Sequence, residues 1–288
     1  MTSTTTPTIT SDGLGRGTAT VGARAERGAR FGIAARQAAK RSILQALRSP
    51  QLLVLPTIMA ALFLLVFRYV FGGAIETGGG LDYVDFLVPG FVVQTILWTG
   101  MNFPAGVAED AASGVYDRFR SLPIPRAAVV AGRAVADSAL IAWTAALTLG
   151  LGFAVGFRAD AAVGSVLAAC ALTLVVGYVF SWLFISLGLA AGNGQAAQGM
   201  ASLLVVPLSF LSNTFVPVES MPGGLQPVAE HQPMGVFTNA VRSLMLGGTD
   251  AVGVGHTTGY WVALSLVWCA GILVVFAAFA VRRFARTR

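Results

Sequence analysis

Apolar runs of membrane-crossing length recur along the chain, separated by short polar segments. A helix needs about 20 mostly apolar residues to cross a bilayer core, and six stretches qualify: residues 52–72, 84–107, 134–157, 163–191, 199–215 and 260–281. The fifth is short and holds Pro207, so it is expected to kink or stop early. Ahead of the first, Arg36, Lys40, Arg41 and Arg48 mix with Ile43, Leu44 and Leu47 before Pro50. That pattern predicts an amphipathic helix over 31–50 lying on the membrane surface. Residues 1–30 are rich in Thr, Gly and Arg and lack the apolar core of a secretory signal, so they read as a disordered basic tail.

Between the second and third runs the period changes. Val107, Ala111, Val115, Phe119 and Leu122 recur at helical spacing, while Glu109, Asp110, Asp117 and Arg120 fall elsewhere on the wheel. An amphipathic helix over 107–122, outside the bilayer and stopped by Pro123 and Pro125, is expected. Between the fifth and sixth runs, Pro217, Pro222, Gly223, Gly224 and Pro233 break the chain. Phe237, Ala240, Val241, Leu244 and Met245 then share one helical face, with Arg242 pointing away from it. A solvated loop would leave that face in water, so short re-entrant or interfacial helices are expected there. The expected fold class is an all-α membrane protein: six transmembrane helices, an N-terminal interfacial helix, and short re-entrant or interfacial helices before the last span.

Composition agrees. Of 288 residues, 55% are hydrophobic and 11% charged, against about 25% charged in soluble domains. The net charge of +6 comes almost wholly from arginine, with Lys40 the only lysine. These arginines flank apolar runs and form no single face interleaved with aromatics, which argues against nucleic acid as a partner. Sixteen basic residues lie in the N-terminal tail, the loop after the second run and the C-terminus, against Arg158 and Arg242 on the other side. The positive-inside bias therefore predicts that both termini are cytoplasmic. Arg68 and Asp137 fall near span ends, where anchoring or local pairing accounts for them.

Candidate chemistry is sparse. No acid lies at mid-membrane to mark a proton relay, and Glu109 and Asp110, adjacent on a helix, point about 100° apart and make a poor shared metal clamp. His231 and His256 stand outside any cluster of ligand spacing, so no metal site is expected. Cys170 and Cys269 each sit inside an apolar run, as small buried residues do. A phosphate-cradling loop needs its lysine, and Lys40 ends "GIAARQAAK" without the second glycine. The chain is therefore expected to carry no ATPase site and no cofactor, so a partner must burn any ATP. Ser209, Ser212, Asn213 and Thr214 bring hydroxyls and an amide into the fifth span. They are candidates for a substrate path, and helix-to-helix hydrogen bonding explains them equally well. The pairs Gly152 with Gly156 and Gly188 with Gly192 suggest close helix packing. An ion-coupled carrier or channel, or an intramembrane transferase, stands as the alternative; the first needs a buried acid and the second paired carboxylates.

Four segments, "VFRYVFGGAI", "DYVDFLVPGFVVQT", "AEDAASGVYDRFRSLPIPRAAVVAGRAVAD" and "FVPVESMPGGLQPVAEHQPMGVFTNAVRSLMLGG", together resemble the ABC-2 type permeases, and within them the daunorubicin-resistance branch of actinobacterial exporters. The resemblance runs from about residue 50 to 283, in the family's order. It implies an ABC-2 transmembrane domain over 51–283, followed by a cytoplasmic tail over 284–288, in the cell membrane. It further implies a partner ATP-binding cassette subunit that binds ATP and Mg, and a second permease copy or sister permease. The implied activity is export of an amphipathic or hydrophobic drug, lipid or glycolipid, as in multidrug efflux and antibiotic resistance. The family's coupling helix, which contacts the ATPase, would fall on Glu109, Asp110, Asp117, Arg118, Phe119, Arg120, Ser121 and Leu122. Its outer re-entrant segment would fall on Pro222, Gly223, Phe237 and Arg242.

Overall fold

A computed structural model of the chain describes residues 51–73, 81–115, 126–248 and 255–286. The expected interfacial helix at 31–50 and the basic tails at 1–30 and 287–288 lie outside the described residues.

Every regular element among the described residues is helical. Helix α1 (Gln51–Val66) runs into a π-helical turn (Phe67–Phe71), and α2 (Tyr83–Gly100) follows. At Pro104 the missing N–H and the ring's clash with the carbonyl four residues back, that of Gly100, interrupt the helix. The chain turns through Met101 and Asn102, and α3 (Phe103–Ala112) restarts with Pro104 in its first turn, where proline is tolerated. The expected span at 84–107 is thus two helices. The helix expected over 107–122 is likewise not continuous. It stops at Ala112 because Gly114 adopts φ +71°, a left-handed conformation that ends helices. Val115 opens a new helical turn, and 116–125 lie outside the described residues.

Helix α4 (Arg126–Val155) begins well before the apolar run at 134 and ends at Gly156, φ +117°. Arg158 closes its C-terminus, donating from Nη1 to Phe153 O at 3.1 Å and Phe157 O at 2.8 Å. Helix α5 (Val163–Ala190) returns, and Asn193 caps α6 (Gly194–Phe210) by accepting from Ala196 N at 2.8 Å. A 3₁₀ turn (Val218–Ser220), α7 (Gln226–His231) and α8 (Pro233–Met245) precede the long α9 (Thr258–Arg286).

Four helical runs are long and apolar enough to cross a membrane: Tyr83–Ala112, Ala127–Val155, Val163–Ala190 and Thr258–Phe284. Thr57–Phe71 is apolar but shorter, and α6 has 17 residues. The central element is α2, whose residues from Phe86 to Leu97 are all buried, against α4, α5 and α8. Outward faces are greasy instead: Ile58 and Leu62 on α1, Leu203 and Phe210 on α6, and Val267 and Val274 on α9 are exposed. Such inverted exposure suits lipid rather than water.

Of the glycine pairs, one member each packs a neighbour. A Cβ on Gly152 would lie 2.4 Å from Val88 Cγ1, and one on Gly188 would lie 2.6 Å from both Pro104 O and Val107 Cβ. Gly156 and Gly192 have nothing within 4 Å. Gly188→Ala is therefore expected to destabilise the protein by about 1–3 kcal/mol through overpacking of α3 on α5. Gly192→Ala should stay within about 0.5 kcal/mol. Thermal unfolding of the two variants in detergent reads the difference, and equal melting temperatures would contradict this packing.

Candidate functional site

Two polar groupings interrupt the apolar interior, one at each end of α2 and α3. The first forms where α6 stops. Beyond Phe210 the chain leaves the helix, and hydroxyls take over part of the bonding: Ser212 Oγ donates to Ser209 O at 2.7 Å and to Thr214 Oγ1 at 2.9 Å. Ser209 Oγ accepts from Gln94 Nε2 and, at 3.0 Å, from Trp98 Nε1, both on one face of α2. Asn213 Nδ2 donates to Asn239 Oδ1 of α8 at 2.6 Å, and the hydroxyls of Thr214 and Thr238 lie 3.3 Å apart. All four candidate path residues, Ser209, Ser212, Asn213 and Thr214, are thus brought together, buried and tied to α2 or α8 or to each other.

Arg242 closes this grouping. Its side chain is fully buried, with Nε donating to Phe86 O at 2.9 Å and Nη2 to Asn213 O at 3.2 Å and Thr214 O at 3.4 Å. The guanidinium carbon stands 3.7 Å from the Phe86 ring centroid, a cation–π contact. The residue's place follows from Gly90, where a Cβ would lie 2.9 Å from Arg242 Nη2. Arg242 does point away from the apolar face of α8, but it is buried rather than standing among the charges of the outer loop. Phe237 packs on Phe180 of α5 while Arg242 faces α2, and both sides are covered. Pro222 and Gly223, by contrast, are exposed on the approach to α7. Gln94 Oε1, Asn213 Oδ1, Asn239 Nδ2 and Arg242 Nη1 have no hydrogen-bond partner among the described residues. The grouping therefore keeps both donor and acceptor capacity.

Aromatic rings border it. Phe63 of α1 meets Trp98 at 4.5 Å between centroids, and Phe67 meets Phe215 at 4.6 Å, with Phe91 6.0 Å from Phe215. Sequence reasoning missed Gln94, Trp98, Thr238 and Asn239. A signal existed for the first two: a lone amide inside an apolar span, four residues before a tryptophan and so on its face.

The second grouping lies at the opposite end, beside the 113–125 segment. Asp110 Oδ2 sits 3.0 Å from Arg133 Nη1, and Arg133 Nε lies 2.9 Å from Asp137 Oδ1. Asp137 is almost fully buried. Glu109 is exposed, its Oε1 3.0 Å from where a Cβ on Gly194 would stand, at the first turn of α6. Of the expected coupling residues, only Glu109 and Asp110 are described; Asp117, Arg118, Phe119, Arg120, Ser121 and Leu122 lie outside the described residues. Elsewhere, Arg68 pairs with Asp82 at 3.6 Å. His231 and His256 are exposed, with rings 6.2 Å and 5.7 Å from Trp261.

In sequence the chain is similar to known membrane permeases. A family model described as ABC-2 type transporter matches residues 34–246. The chain is 35% identical over 228 residues to the daunorubicin resistance ABC transporter permease protein DrrB1 of Streptomyces coeruleorubidus, covering 79% of this chain and 77% of that one. It is 27% identical over 183 residues to the probable doxorubicin resistance ABC transporter permease protein DrrC of Mycobacterium tuberculosis, covering 62% of each. It is 26% identical over 246 residues to the inner membrane transport permease YadH of Escherichia coli, covering 78% and 82%.

Replacing Arg242 tests the first grouping. Arg242→Met keeps most of the stem but leaves three buried carbonyls without this donor, at about 1–3 kcal/mol for an orphaned group. A loss of about 3 kcal/mol or more in unfolding free energy is expected, with Arg242→Lys recovering part of it. Unfolding in detergent measures both, and a wild-type midpoint for the methionine variant would refute the assignment.

Proposed function

We propose that this chain, which belongs to the ABC-2 type transporter family, exports an amphipathic or hydrophobic compound using ATP hydrolysed by a partner. It is a permease subunit of an ATP-binding cassette transporter and a multi-pass membrane protein. The family has no ATPase domain of its own, and Lys40 lies in no phosphate loop. Energy must therefore enter mechanically, through a surface outside the bilayer.

The observation that carries the reading is length. Helix α4 has 30 residues, about 45 Å of helix, against a hydrocarbon core of about 30 Å, so we place its Arg126 end past the lipid; on the other flank of the 113–125 segment, α3 adds 10 residues beyond the break that ends the 18-residue α2. That segment holds Asp117, Arg118 and Arg120 beside Phe119 and Leu122, rooted at Glu109 and Asp110. Mixed charge around apolar anchors is what a protein docking surface uses for register and encounter. With sixteen basic residues on that side against two on the other, we assign it to the cytoplasm, with both termini.

On this reading α1 and α6 complete six passes, and α7 and α8 form a re-entrant pair at the outer leaflet. Arg242 then leaves the tally of exposed loop charges, which only sharpens the asymmetry. The exposed apolar faces of α1 and α6 meet lipid or a second permease, either another copy or a sister chain. The substrate class follows from two supports. Two of the three named relatives are described by daunorubicin or doxorubicin resistance. Ser209, Ser212, Asn213 and Thr214, bordered by Phe63, Phe67 and Trp98, suit a ligand with broad apolar area and a few hydroxyl or amide groups.

In the complex purified with its ATPase subunit, the double substitution Arg118→Glu and Arg120→Glu should bring substrate-stimulated hydrolysis down to the basal rate and weaken co-purification of the ATPase. Membrane insertion should be unchanged. Undiminished stimulation with an intact complex would remove the docking assignment.

A further inference from the structure

We propose that Arg133 is a strut that makes the two flanks of the 113–125 segment move as one body and passes their displacement into the bundle. It is a positioning residue that touches neither substrate nor ATPase, and the proposal rests on the reading that this segment docks the ATPase.

The geometry is specific. Asp110 lies two residues before the end of α3, and Arg133 lies two turns into α4, so the Asp110 Oδ2 to Arg133 Nη1 contact at 3.0 Å ties the flanks together just inside the connecting segment. The guanidinium lies over α3, since a Cβ on Gly106, one turn before Asp110, would stand 3.3 Å from Arg133 Nη2. Asp137 explains why the arginine holds that pose. It is one turn further along α4 and 2% exposed, and it receives Nε at 2.9 Å, while its Oδ2 has no partner among the described residues. An exposed pair four residues apart adds only a few tenths of a kcal/mol to a helix. Burying a carboxylate for that gain alone is a poor exchange. It makes sense if the buried acid fixes the fork so that its other arm reaches across to α3.

The neighbouring acid does the complementary task. Glu109 points about 100° from Asp110 around α3, and its carboxylate lies beside Gly194 at the N-terminus of α6, where the helix dipole favours a negative charge. On its remaining side α3 sits on α5 at Gly188 without room for a methyl group. One short helix is thereby linked to α4 by an ion pair, to α5 by close contact and to α6 by charge and dipole. A displacement of α3 is therefore passed to its neighbours, among them α6, which ends at the Ser209–Thr214 grouping.

Arg133→Gln and Asp137→Asn, singly and together, test this in the complex with its ATPase subunit. Three quantities are measured: co-purification of the ATPase, basal hydrolysis, and the ratio of substrate-stimulated to basal hydrolysis with daunorubicin as probe. The strut predicts normal co-purification and basal rate, with the stimulation ratio reduced at least about fivefold, the lower end of ordinary coupling factors. It also predicts that the double variant is no worse than Arg133→Gln alone, because both remove one linkage. Arg133→Lys should restore part of the ratio, since a point charge satisfies one acid but not both. Should Arg133→Gln fail to insert, Asp137→Asn, which leaves the charge of Arg133 in place, reads the same link. Full stimulation in both single variants overturns the strut, as does loss of the ATPase from Arg133→Gln complexes, which would place Arg133 in the docking surface. Failure of the docking reading is separate: it appears as normal co-purification and stimulation after Arg118→Glu with Arg120→Glu, whatever Arg133 does.

Discussion

Irregular backbone inside an apolar bundle must find its hydrogen-bond partners within the protein, and Arg242 is the side chain that ties that backbone to two helices at once. Where α6 ends at Phe210, Gln232 donates to Leu208 O at 3.1 Å, Ser212 to Ser209 O at 2.7 Å and Tyr83 to Phe215 O at 3.1 Å. Arg242 meets the carbonyls between them, reaching Asn213 O and Thr214 O together with Phe86 O of α2 from a planar fork. A cation beyond the C-terminal end of α6 is also favoured by that helix's dipole. Several other choices follow from it. Position 90 must be glycine to admit the guanidinium, Phe86 must offer a ring face, and α8 must be buried on all sides to deliver the arginine. The short helices before α9 are therefore part of the core, although no segment there is long enough to cross a membrane.

The two charged groupings differ in kind, and the difference has mechanical meaning. Arg242 is bonded to neutral carbonyls whose positions are set by the backbone, so it has no competing acid to exchange to among its observed partners. Arg133 is held by two carboxylates on two helices, one of them partly accessible to solvent. Bonds of the first sort fix one side chain's place inside the core; bonds of the second sort hold two helices to each other. Between them lies the interruption at Met101 and Asn102, forced by Pro104. The two rods joined at that break are held by Arg242 on α2 and by Arg133 on α3.

Much of the helical framework was legible in the amino-acid pattern because the bilayer demands long apolar runs. All four long helical runs lie on stretches marked by hydropathy alone, and the motif "AEDAASGVYDRFRSLPIPR" pointed to the family that the comparisons establish. Boundaries were less legible where polar residues continue a helix or a glycine ends one. Helix α4 starts at Arg126 because its early turns pack as helix although arginine reads as loop. The break after Gly100 was signalled by "MNFPAG", an asparagine followed by a first-turn proline, but an apolar average runs straight over it. The site was less legible still. Counting Arg242 among loop charges assumes that arginines outside spans face water, and nothing in spacing alone reveals three carbonyls waiting for one. Asp137 was readable as locally paired, but its role in aiming Arg133 toward Asp110 needs the third dimension, since 23 residues separate the ends of that contact.

The placement of charge also bears on why a permease of this design keeps its fuel elsewhere. A binding site for ATP inside the bundle would require several cations and a metal to be desolvated among helices whose remaining partners are lipid and one another, at several kcal/mol per ion. The chain instead places the Asp110–Arg133 contact at one edge, where both side chains retain some access to water and the desolvation cost is smaller. Force applied there needs only a stiff path inward. That path is already provided by packing that leaves no room for a methyl group at Gly188 and by the burial of α2 along most of its length. Because close-packed interiors resist compression, the proposed strut would pass a displacement at the edge on toward the polar grouping at the end of α6.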